Sequence, residues 1–100
     1  MPKIYEYFGL IFIIRTDDHN PIHVHIQYAE TESKVVIDYI GGKLADVIFR
    51  KVKGRKQLPA HKQSEAKAFI KKYHKEITEK WIQLFVKKMK PKFEKITKKV

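Results

Sequence analysis

Three of the five histidines, His19, His23 and His25, fall in the segment Asp17-Asp18-His19-Asn20-Pro21-Ile22-His23-Val24-His25. Imidazole titrates near neutrality, and its neutral form carries a lone pair for a proton or a metal ion. On an extended strand His23 and His25 point to one side with Cβ atoms about 7 Å apart, given a rise of ~3.3 Å per residue. Two rings at that spacing can converge on one ion. His19 or Asp17 would fold over from the preceding turn as a third ligand, leaving an open position of the kind catalytic zinc sites keep. The cofactor this implies is a divalent metal such as zinc. The same histidines also suit metal-independent cleavage of RNA. His19, His23 and His25 would supply a base for the 2′-hydroxyl and an acid for the leaving oxygen. Arg15, at the end of the neighbouring strand, or Arg50 would stabilise charge developing on phosphorus. A third reading is architectural: His23 and His25 hydrogen-bond Asp17, Asp18 or backbone, and the domain works by binding protein or nucleic acid. The three readings stay open at this stage, and no glycine-rich phosphate loop, Ser-His-Asp set or nucleotide fingerprint adds a fourth.

The elements that must position these residues follow from hydrophobic periodicity. Ile4–Phe8 and Leu10–Thr16 read as strands, with Gly9 a bend or bulge between them. Asp17–Pro21 is a turn punctuated by Asn20-Pro21. His23–Tyr28 alternates, with Val24, Ile26 and Tyr28 on one face and His23, His25 and Gln27 on the other. Ala29–Ser33 reads as a polar turn, followed by strands at Lys34–Ile40 and Leu44–Phe49 joined through Gly41-Gly42, where both positions can take positive φ. From Pro59 or Ser64 onward, Ala66, Phe69, Ile70, Tyr73, Ile77 and Trp81 recur at helical spacing. One helix over 64–90 would run about 40 Å at ~1.5 Å per residue, so two helices with a break near His74 are expected, the second ended by Pro91. Phe69, Tyr73 and Trp81 belong on the apolar stripe, and His61 and His74 face solvent or cap. Tyr5 and Tyr7 share a face that lines either a site or a second small core. Strands first and helices last predict an α+β domain over residues 1–90. It would have a mostly antiparallel sheet of four or five strands and two C-terminal helices on one face. Residues 91–100 would be a basic, frayed tail.

The 100 residues suit one core, and without cysteine neither disulfides nor thiolate metal sites are available. The apolar run Phe8–Ile14 is far short of the ~20 residues of a membrane helix, and lacks the flanks of a signal peptide; a soluble cytoplasmic protein is expected. The net charge of +11 is unevenly placed, since residues 50–100 carry 18 basic and 4 acidic side chains. A basic half of that kind suits a polyanion or an acidic protein. Lys51, Lys53, Arg55 and Lys56 form the densest loop cluster and are the candidate phosphate contacts, with the lysines of 87–99 behind them. Nineteen of the 22 cations are Lys, which argues against bidentate base reading by Arg.

Together, Pro2-x-Ile4, the segment His19-Asn20-Pro21-Ile22-His23-Val24-His25, the Gly41-Gly42 hairpin and a helical stretch through Ile70, His74, Ile77 and Trp81 resemble a small bacterial family, domain of unknown function 4160. The resemblance spans residues 1 to about 86. The chain departs from the family's His-x-Pro-Pro-His-Phe-His pattern at Ile22 and Val24, and in its basic tail. The resemblance implies a cytoplasmic protein often encoded beside a second small protein, in pairs that look like toxin–antitoxin modules; it supplies no catalytic residue. The reading from sequence is therefore a component of such a two-protein module acting through protein or RNA binding, with the histidine cluster as functional site. The alternative is a small metal- or histidine-dependent hydrolase acting on RNA.

Overall fold

The computed structural model describes residues 2–15 and 22–100. Six strands and one helix follow in the order β1 (Lys3–Tyr7), β2 (Leu10–Ile13), β3 (His23–Tyr28), β4 (Thr31–Ile40), β5 (Lys43–Lys51), α1 (Ala60–Phe85) and β6 (Glu94–Ile96). They form one sheet ordered β5-β4-β3-β2-β1-β6. The first five strands pair antiparallel with their sequence neighbours, and β6 pairs parallel to β1. The α+β class and the mostly antiparallel pairing agree with the sequence reading; the sheet has six strands rather than four or five, and the parallel β6 makes it mixed.

The helix packs on one face, as the stripe predicts. Phe69 is its central plug, with its ring 5.3 Å from Tyr5, 4.8 Å from Tyr7, 4.7 Å from Phe12 and 4.5 Å from Tyr73 between centroids. Val24, Ile26, Val35, Ile37, Ile70, Ile77 and Trp81 complete the same buried cluster. Tyr5 and Tyr7 thus belong to this core. His61 is exposed, whereas His74 is half-buried and shares a hydrogen bond with the Tyr39 hydroxyl at 2.9 Å.

Two helices were expected and one is found. It runs unbroken through His74 because nothing between Ala60 and Phe85 interrupts it: the stretch has no Gly or Pro and is rich in Lys, Glu and Ala. Six strands rather than four widen the platform beneath it. The chain beyond the helix also folds back on its far end, where Lys80 Nζ donates to the Lys92 carbonyl at 2.6 Å. The helix stops at Phe85, before Pro91, and its last carbonyls are capped by following amides: Val86 and Lys87 bond Ile82, and Met89 bonds Gln83. Part of the segment expected to fray is β6 itself.

Two hairpins flank the long strand β4. Gly41-Gly42 forms its predicted turn, with φ +59° and +79°. The polar stretch read as a long turn at 29–33 is a tight turn at Ala29-Glu30, and Glu32 and Ser33 lie within β4, fully buried. Among the described residues no helix is long and apolar enough to cross a membrane.

Candidate functional site

The tight turn at Ala29-Glu30 fixes the site. It sets Tyr28 opposite Thr31, so Gln27 faces Glu32 and His25 faces Lys34. On the other side of β3, Ile13 pairs with His25, and Arg15 follows two residues on. Period-two alternation then brings Arg15, His25, Gln27 and Glu32 to the sheet face away from α1.

Glu32 is the centre of this group. Its side chain is withdrawn from water, yet it accepts from Arg15 Nη2 at 2.7 Å, His25 Nδ1 at 2.9 Å, Gln27 Nε2 at 3.0 Å and Arg55 Nη1 at 3.5 Å. A buried carboxylate is tolerated when donors replace its hydration. Burial pushes the Glu32 pKa up, but the hydrogen bonds from Arg15, Gln27 and His25 outweigh it and hold the carboxyl below its ordinary value. For His25, burial comes first and lowers the pKa; the bond to Glu32 opposes this, and the Arg15 charge adds to it. His25 is therefore neutral at pH 7. Since Glu32 can only accept, the ring proton sits on Nδ1, and Nε2 carries the lone pair.

His23 and His25 stand on one strand face, as the alternation predicts. Their ring centroids are 5.7 Å apart at 71°. Both are buried, at 1% and 7% exposure. Arg15, one of the two arginines considered for stabilising charge on phosphorus, donates to Glu32. His19 and Asp17 lie outside the described residues. Among the described residues no group of three or more His, Asp or Glu side chains could hold a metal ion, so a metal on His23 and His25 would depend on His19 or Asp17.

The candidate phosphate contacts gather at one end of the sheet, where β5 leads into α1. Lys51, Lys53 and Lys56 are exposed. Arg55 differs, because its guanidinium turns inward to Glu32 and to the Glu30 carbonyl at 3.2 Å. The Glu32 amide in turn bonds the Lys56 carbonyl at 2.9 Å, so the basic loop is tied to the buried carboxylate by both main chain and side chain. Glu32 was missed in the sequence because Glu30-Thr31-Glu32-Ser33 is uniformly polar. The signal was the hairpin register: a turn at 29–30 places Glu32 on the histidine face.

A family model described as Domain of unknown function (DUF4160) matches residues 9–82, and the chain belongs to that family. The matched span holds Arg15, His25, Gln27, Glu32 and Arg55, and leaves out β1 and β6. Comparison with curated proteins and with solved structures gave no match.

Proposed function

We propose that this chain is the RNA-binding member of a bacterial two-protein module of the toxin–antitoxin kind, working through its basic end rather than through catalysis. One observation carries the reading: Arg15 and Arg55 close on Glu32, while Lys51, Lys53 and Lys56 stay exposed together. Arg15 and Arg55, the guanidiniums best suited to clamp a phosphoryl group, both face the buried carboxylate. Among the described residues the loop lysines have no such internal acceptor, and compact ammonium groups favour phosphate contact over base reading. The Glu32 hub then serves binding by fixing the loop that carries those lysines. A second small protein encoded alongside would be the other member of the module.

A specific feature favours a second reading, a small hydrolase acting on RNA. Glu32 on Nδ1 orients His25 and leaves Nε2 as a base, or as a ligand to a divalent metal such as zinc if His19 or Asp17 completes the set. Labelled single-stranded RNA incubated with the protein, with and without chelator, separates the two. Binding predicts a mobility shift without cleavage, kept by His23→Ala/His25→Ala and lost by Lys51→Gln/Lys53→Gln/Lys56→Gln. Cleavage that the histidine pair abolishes would establish the hydrolase instead, and its chelator sensitivity would report a metal.

A further inference from the structure

The β1–β2 turn, the β3–β4 turn and the β5–α1 loop all meet at the basic end. Phe8 sits at the tip of the first turn, 43% exposed and with φ +45°. That left-handed backbone is unusual for a bulky residue. In a two-residue hairpin turn it favours Asn, Asp or Gly. The turn therefore holds an aromatic ring out into water against its own backbone preference. Lys99 Nζ stands 5.8 Å from the Phe8 ring centroid, and Lys62 Nζ stands 4.6 Å over Tyr28 and 3.5 Å from the Phe8 carbonyl. Beside Tyr28 opens a cleft of about 610 Å³ whose lining includes Tyr28, Thr31, Arg55 and Lys56, and also one acid, Glu30.

Exposed rings interleaved with ammonium groups are the surface on which single-stranded nucleic acids lie, bases stacked on the rings and phosphates beside the cations. We infer that this end of the sheet seats single-stranded RNA, one base lying on Phe8 and the adjoining phosphates held by Lys62 and by Lys56 at the cleft. The inference rests on the RNA-binding reading above and adds where the strand lies and what it must expose. The cleft volume is in the range of small-molecule sites and admits a nucleotide. The Lys62 side chain is only 13% exposed, but its contacts to the Phe8 carbonyl and to Glu65 Oε1 are long, at 3.5 and 3.4 Å, so its ammonium can turn from them to a phosphate at the surface. A duplex hides its base faces and is excluded from stacking on Phe8, so the seat selects unpaired strands.

The test is fluorescence anisotropy of the full chain with labelled 12-nucleotide oligo(A), the same sequence as a duplex, and polyglutamate, over a series of salt concentrations. Oligo(A) is expected to bind at least tenfold more tightly than the duplex. Phe8→Ala and Phe8→Leu should each weaken oligo(A) by about tenfold, the loss of one stacked base. Lys56→Gln/Lys62→Gln should lower the salt slope by about one to two. Wild-type affinity in Phe8→Leu would overturn the seat while leaving RNA binding intact. Equal affinity for the duplex would do the same. Absence of any RNA binding would remove both the seat and the reading beneath it. Polyglutamate binding as tight as oligo(A) would reassign the surface to an acidic protein. Circular dichroism and urea midpoints near wild type in the Phe8 variants guard against a folding defect.

Discussion

Glu32 and Lys80 are both charged and both withdrawn from water, but they are held in different ways. Glu32 lies inside the sheet and takes donors from β3, from Arg15 just beyond β2 and from the β5–α1 loop. Lys80 lies on α1, at 7% exposure, and is met by the Lys92 carbonyl, by Glu94 Oε2 at 2.9 Å and by the face of the Tyr5 ring at 5.0 Å. Two of Glu32's donors, His25 and Gln27, lie on β3, which pairs on both sides in the sheet, and the other two come from separate segments. Lys80's partners come mainly from β6 and the chain before it, a segment with three paired residues. A buried charge with partners on several fixed elements stabilises the domain as a whole, whereas one with partners on a single short segment fastens that segment.

The largest expected effect is at Glu32. Glu32→Ala leaves Gln27 and His25 Nδ1 without their acceptor and sets Arg15 against Arg55. Removing one partner of a fully buried ion pair costs about 3–5 kcal/mol. The two arginines are part exposed and can rehydrate, so about 2–3 kcal/mol is expected from urea unfolding. Glu32→Gln should lose less, since it keeps the shape and one acceptor. A loss below about 1 kcal/mol in Glu32→Ala would show that the hub merely fills space.

Lys80→Met should cost less globally, about 1 kcal/mol, because Glu94 is 40% exposed and can return to water. Its effect should be local. Amide exchange at Glu94–Ile96 should rise to nearly unprotected rates while β2, β3 and β4 keep their protection. Global exchange rising in step with β6 would erase the difference between the two charges.

The sequence carried the frame around these two charges better than the partners that hold them. Alternation in His23–Tyr28 and the stripe through Phe69, Ile70 and Ile77 gave the two faces and their packing, since burial repeats with a period that can be read locally. The Gly41-Gly42 turn was equally legible, because positive φ selects glycine. Glu32 was not, because its burial depends on donors from positions 15, 25, 27 and 55, which only the register brings together. Nor was β6: Glu94-Lys95-Ile96 has no strand signature, and its pairing rests on β1 and on Lys80. The unbroken helix at His74 is a related case, in which the length of the stripe was visible but the breadth of the sheet beneath it was not.

Acid should then separate contributions within the hub. The folded pKa of His25 lies below its ordinary value of 6.5, so between the two the unfolded chain binds a proton that the folded chain refuses. Stability rises with pH across that window and is lost as pH falls below about 6.5, levelling off under the folded pKa. Glu32 is held below its ordinary 4.5, so its contribution is present above that value and disappears as pH falls through the folded pKa. Urea midpoints between pH 7.5 and 3 should fall in two steps. His25→Gln should remove only the upper step, and Glu32→Gln should shrink the lower one, to which Glu94, also held below its ordinary value by the hydrogen bond from Lys80, contributes as well. A single step in wild type that survives Glu32→Gln would assign acid lability to other carboxylates.

The smallest effect, at Phe8, should have the opposite sign. Left-handed backbone costs an ordinary residue about 1–2 kcal/mol, and Asn tolerates it well in a hairpin turn. Phe8→Asn relieves that cost but gives up the edge-to-face contact with Tyr7 at 4.9 Å between centroids, itself worth about 0.5–1.5 kcal/mol. The balance should be a gain of a few tenths of a kcal/mol, measured as a raised urea midpoint. Combined with weaker oligo(A) binding, that gain would mean the ring is held at the tip for contact rather than for folding. A loss of stability in Phe8→Asn would mean instead that the Tyr7 contact outweighs the turn, and Phe8 would join Phe69 as a residue explained by packing alone.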